Sequence, residues 1–146
     1  MALSQNYNQP LYEAASQLKL DVIAASTTLY AGTLSMNDGG VAKVFTAAGY
    51  AAGAKLLGYP TSTVVNSTGS DVTLAAPIMF RRGCPMVVAA KSGDEPDASD
   101  VGGNVYLKDN FSAGATDAGT DLAVVLLEVW KKNDSGTATH LLIKLP

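Results

Sequence analysis

The stretch that most constrains the fold is residues 122–130, Leu-Ala-Val-Val-Leu-Leu-Glu-Val-Trp. Read as a strand, one face carries Ala123, Val125, Leu127 and Val129. The other carries Leu122, Val124, Leu126 and Trp130, interrupted by Glu128. A strand apolar on both faces has to be covered twice, inside a sandwich or barrel or beneath a neighbouring subunit. Asn133-Asp134-Ser135-Gly136 then supplies a turn, because Asn, Asp and Gly tolerate positive φ. Thr139, Leu141, Ile143 and Leu145 form the buried face of the returning strand, with His140 and Lys144 on its polar side.

The same punctuation recurs upstream. Val22 to Ala25 is a short apolar run, and residues 27–36 alternate loosely with β-branched and aromatic members. Asn37-Asp38-Gly39-Gly40 signals a tight turn before a return strand over residues 41–46, so a hairpin is expected. Residues 47–58 are rich in alanine, but Gly49, Gly53 and Gly58 interrupt them, which favours a loop over a helix. A strand over residues 55–65 follows, with Pro60 placing its start at an edge or bulge. After the Asn66–Ser70 turn cluster come strands over 71–82 (interrupted by Pro77), 86–90 and 104–109, with an acidic loop over 92–100. Short strands separated by Gly, Asn, Asp and Ser turns predict an all-β fold, a small sandwich or barrel of short antiparallel strands over residues 21–146. Residues 1–20 read as an N-terminal arm. Its first ten residues are polar and uncharged, and Pro10 can start at most two helical turns through Leu18. Tyr7, Leu11, Tyr12, Leu18 and Leu20 are its apolar anchors, so the arm is either a frayed terminus or a tether that orders on a neighbour.

Composition narrows the function. Of 146 residues only 7% are aromatic and 16% charged. A core of small side chains offers less apolar area per residue, so self-association or docking on a partner is the expected extra source of stability. One cysteine, Cys84, excludes an intrachain disulfide and a cysteine-based zinc cluster, and one histidine, His140, excludes a histidine-rich metal site. A net charge of -3 gives no overall basic field for nucleic acid. No apolar run is long enough for a membrane span, and no secretory leader is visible, the first Lys or Arg being Lys19.

The reactive side chains form no constellation. His140 has no nucleophile or orienting group at a telling spacing and reads as a surface histidine. Cys84, between Gly83 and Pro85, carries no nucleophile signature. Asp94, Glu95, Asp97, Asp100, Asp109, Asp117 and Asp121 lack the regular oxygen spacing of a calcium loop and read as solvated loop residues. Gly49, Gly53 and Gly58 match no phosphate loop. Arg81 and Arg82 suit an acidic partner surface, although adjacent strand residues point to opposite faces and form one patch only where a turn bends them. The chain is therefore read as a non-enzyme with no cofactor, catalytic or metal residues.

Several stretches in order resemble bacteriophage capsid decoration proteins, also called head-stabilising or cement proteins. These are residues 29–34 with the Asn37–Gly40 turn, Leu57-Gly58 followed by Val65-Asn66-Ser67-Thr68-Gly69, Arg81-Arg82-Gly83, and above all residues 100–109, DVGGNVYLKD. The closing hairpin over 126–145 is similar in pattern, and the resemblance spans about residues 20–146. The Ala75-Ala76-Pro77 interruption and the arm lie outside it. The resemblance implies a virion structural protein without catalysis, made in the host cytoplasm. It would bind the outer surface of the head lattice, on the major capsid protein, as a homotrimer. Tyr7, Leu11, Tyr12, Leu18, Arg81 and Arg82 are the residues expected to contact the shell or a neighbouring copy. The alternatives are another virion part, such as a tail or head-fibre component, and a carbohydrate-binding β-module, for which Trp130 and the tyrosines show no platform spacing.

Overall fold

A computed structural model describes residues 2–9 and 16–146. The first half of the chain forms β1 (Ser16–Ile23), β2 (Thr27–Leu29), β3 (Ser35–Asp38), β4 (Val41–Val44), the short helix α1 (Ala47–Ala51), β5 (Lys55–Pro60), β6 (Val64–Asn66) and β7 (Val72–Arg82). The second half forms β8 (Pro85–Ala90), a 3-10 turn (Ala98–Asp100), β9 (Asn104–Leu107), β10 (Ser112–Gly114), β11 (Leu122–Lys132) and β12 (Ala138–Lys144). The all-β expectation holds, and the strands close into barrels. One barrel runs β1-β4-β3-β5-β7, the other β10-β8-β12-β11-β9, and β2 pairs with β6 outside both. Among the described residues the pairings are antiparallel except two short parallel contacts, β1 with β4 and β8 with β10.

Three expectations need correction. Ser16 to Leu20 are not arm or helix; they begin β1, paired with β7 from Ser16↔Arg82 to Leu20↔Ile78. The reason is period-two alternation. Gln17, Lys19 and Asp21 are exposed while Leu18, Leu20 and Val22 are half-buried, and Leu18 and Leu20 pack on the first barrel's core. Residues 47–51 are a helix rather than a loop, because the Thr46 hydroxyl accepts the Gly49 N–H at 3.0 Å and caps the alanine run. The strand expected over 55–65 breaks at residues 61–63 into β5 and β6. The interruption at Pro77 has a clear form: β1 steps from Leu20 to Val22 while β7 steps from Ile78 to Thr73, so Ala75, Ala76 and Pro77 bulge out exposed. A bulge is where proline costs a strand no ladder bond.

The core is unequal. The larger cluster joins Met86, Val88, Val105, Leu107, Leu126, Leu141 and Ile143 of the second barrel to Leu34, Met36, Phe45, Leu56 and Tyr59 from the first half. The smaller one, inside the first barrel, contains Ile23, Leu29, Ala42, Leu57, Ile78 and Phe80. Adjacent Leu56 and Leu57 point to opposite faces of β5 and so enter different clusters. At Gly58, where β5 meets β3 and β7, a Cβ would collide with the Arg81 carbonyl oxygen, and φ is +102°, so only glycine lets the strands approach there.

Candidate docking surface

The strand β11, apolar on both faces, is covered once, not twice. On β11, Leu122, Val124 and Leu126 are buried in the larger cluster. The alternate residues face outward: Val125 is 38% and Leu127 37% exposed, and Ala123 is exposed as well. Cross-strand pairing fixes their neighbours. Ala123 stands opposite Tyr106, and Val125 opposite Asn104 on one side and Lys144 on the other. Asn104, Ala123, Val125, Lys144, Leu145 and Pro146 line one shallow cleft of about 260 Å³. A bulge at Leu127, between the pairs Leu126↔Ile143 and Glu128↔Leu142, leaves Leu127 and Glu128 exposed side by side. Beyond Asn104, the Gly102 N–H donates to the Leu126 carbonyl at 2.8 Å, and the Leu126 N–H to the Gly103 carbonyl at 3.0 Å. The loop thus pinned presents Val101, 46% exposed. Three of the four large apolar side chains most exposed on the described surface, Val101, Val125 and Leu127, therefore border one face; Val65 is the fourth.

The sequence-derived contact residues are scattered. Leu11 and Tyr12 lie outside the described residues. Leu18 packs on the smaller core. Tyr7 packs on this chain's own body, its ring 4.6 Å from Phe111 and 6.3 Å from His140. Arg82 donates to the Pro146 carbonyl at 2.9 Å and the Leu56 carbonyl at 2.8 Å. Arg81 bonds the Tyr59 phenol in a different cleft, so the two arginines do point apart. Burial, and the bond to Cys84 Sγ at 3.6 Å, push the Tyr59 phenol up to about 12, and Tyr59 is neutral.

The other reactive groups are occupied structurally. His140 is half-buried rather than a plain surface residue, with Thr139 Oγ1 at 3.1 Å from Nδ1. Burial, then the Lys131 charge, hold its pKa below the ordinary value. Cys84 is buried. Asp94 takes the Thr116 N–H and hydroxyl, and Asp97 and Asp100 cap the 3-10 turn reciprocally. Burial pushes the Asp121 carboxyl up, but Lys108 at 2.5 Å and the Ala118 N–H outweigh it and hold the pKa below the ordinary value. Among the described residues no three His, Cys, Asp or Glu side chains gather as metal ligands would.

The outward face of β11 carried a sequence signal, two-sided apolarity, but that signal did not say which side the chain itself would leave open. Val101 carried none. Compared with models of protein families, with characterised proteins and with solved structures, the chain matches none of them.

Proposed function

We propose that this chain is a bacteriophage capsid decoration protein: it binds the outer surface of the assembled head, on the major capsid protein, as a trimer, and stabilises the shell without catalysis. The single observation that carries the reading is the apolar outer face of β11, built from Ala123, Val125 and Leu127 and bordered by Val101. A strand apolar on both faces gains from a second covering layer, which another molecule can supply. Completing the burial of a Val or Leu already two-thirds covered contributes about 0.5–1 kcal/mol per side chain. That is weak for one contact. It becomes firm attachment when several copies engage together, because each later contact is intramolecular. The stretch that most resembles decoration proteins, residues 100–109, borders this same face through Val101 and the Gly102–Gly103 bonds to β11.

The test is cosedimentation with expanded, undecorated heads of the cognate major capsid protein. The wild-type chain pellets with the heads, whereas the double variant Val125→Asp, Leu127→Asp stays in the supernatant with an unchanged melting temperature. A wild-type chain that remains in the supernatant overturns the proposal. The nearest rival, a tail or head-fibre component, predicts protein on intact particles but absent from the shell lattice, which labelled protein on whole virions distinguishes.

A further inference from the structure

Residues 3–9 lie in a built seat, and that seat reads peptide backbone. The buried Asn110 side chain receives the Leu3 N–H on Oδ1 at 2.9 Å and donates from Nδ2 to the Leu3 carbonyl at 3.1 Å. The Tyr7 N–H donates to the Ala31 carbonyl at 2.9 Å, and the Ala31 N–H to Asn6 Oδ1 at 3.2 Å. At the far end the Gln9 amide mimics a strand neighbour. Its Oε1 accepts the Val87 N–H at 2.6 Å, and its Nε2 donates to the Val87 and Gly32 carbonyls at 2.9 and 2.8 Å. Two side-chain amides thus take the part of backbone at either end of the segment, with the Tyr7 ring tilted against Phe111 between them. The seat needs Gly32 to be bare, because a Cβ there would collide with the Tyr7 carbonyl oxygen. Residues 2–9, ALSQNYNQ, are uncharged, so their partial burial carries no ionic desolvation cost.

We infer that this seat is a binding site for an uncharged peptide in trans, and that its occupant there is residues 3–9 of a second copy of this chain. Each bond above joins a group of the segment to a group of the body, and none depends on which copy supplies the segment. The pattern that fits, Leu3, Tyr7 and Gln9 at these spacings, belongs to this chain itself. Exchange of an identical segment keeps every contact and links copies directly. The segment of the same copy competes at an effective concentration of order millimolar, so exchange belongs to crowded copies and is suppressed by dilution. The inference rests on the geometry of the seat and not on the virion reading.

Two measurements on the full-length chain test it. In the first, a labelled synthetic peptide of residues 2–9 is titrated into the variant Gln9→Ala, whose own segment holds the seat less well. Saturable binding is expected. It should weaken about tenfold or more when the peptide itself carries Gln9→Ala, since three hydrogen bonds are lost, and should also weaken in the double variant Gln9→Ala, Gly32→Ala. Absent binding, or binding indifferent to the peptide's Gln9, overturns the site. In the second, equal amounts of light and heavy-isotope protein, each with a photo-cross-linking residue in place of Tyr7, are mixed at high concentration and irradiated. Mixed-isotope cross-links to peptides containing Phe111 or His140 are expected, falling on dilution. Cross-links confined to one isotope overturn the second copy as occupant. Neither measurement involves a shell, so failure here and failure of the decoration reading are separate results.

Discussion

The two barrels have the same number of strands and unequal cores. The second is filled from all sides by Met86, Val88, Val105, Leu107, Leu126, Leu141 and Ile143. Among the described residues, the first buries Ile23, Leu29, Ala42, Leu57, Ile78 and Phe80 in a cluster of its own and sends Leu34, Met36, Phe45, Leu56 and Tyr59 into the cluster shared with its neighbour. Equal strand number therefore does not mean equal independence. The first barrel is stabilised largely by the cluster it shares with the second, and that cluster couples the two. Their surfaces differ in the opposite sense, since the well-filled barrel is the one that presents the open apolar face of β11.

The largest effect should come from the residue that joins the two. Phe45 is wholly buried in the shared cluster, and Phe45→Ala is expected to cost about 3–5 kcal/mol. Native-state hydrogen exchange should then show protection falling in β3 and β5 and also in β8 and β12. Loss confined to the first barrel would break the comparison. Gly58→Ala comes next, at about 2 kcal/mol or more, because the added methyl meets the Arg81 carbonyl at a φ that side chains rarely adopt. Denaturant titration should show the loss, with exchange rising first in β1, β5 and β7.

Lys108→Met should cost about 1–3 kcal/mol by leaving the enclosed Asp121 carboxylate without its main partner. The sign of the pH effect follows from the lowered pKa of Asp121. The wild-type stabilisation is complete above the ordinary carboxylate value near pH 4 and is lost as pH falls through the depressed value. The variant should lack that part of the acid slope. His140 gives a smaller slope. Its pKa is lowered in the folded chain, so the unfolded chain binds the proton more readily. Stability should drop as pH falls from the ordinary value near 6.5 to the depressed one, and level off below it. His140→Asn should flatten that segment of the melting-temperature profile. Least of all, Val125→Asp should alter stability by no more than about 0.5 kcal/mol, since the side chain it replaces faces outward.

Local features of the fold were legible where one segment decides the outcome. The hairpin closed at Gly39-Gly40 and the β11–β12 hairpin follow from turn residues beside alternating strands. The alternation of Gln17, Lys19 and Asp21 with Leu18, Leu20 and Val22 was equally readable, but a helical start at Pro10 competed with it. Barrel closure was not legible, because it rests on pairings such as β1 with β7 that are distant in sequence and pass through a bulge. The seat of residues 3–9 was not legible either. Asn110 and Gln9 recognise backbone groups, and backbone leaves no mark in a sequence. The apolar second face of β11 was seen, while its position on the outside of a closed barrel depends on the whole topology.

Cryo-electron microscopy of expanded heads incubated with the purified chain tests the central claim most directly. The account predicts trimeric density on the outer surface of the shell lattice, with Val101, Val125 and Leu127 covered by a neighbouring molecule. Bare heads, or bound copies with the outer face of β11 open to solvent, would contradict it.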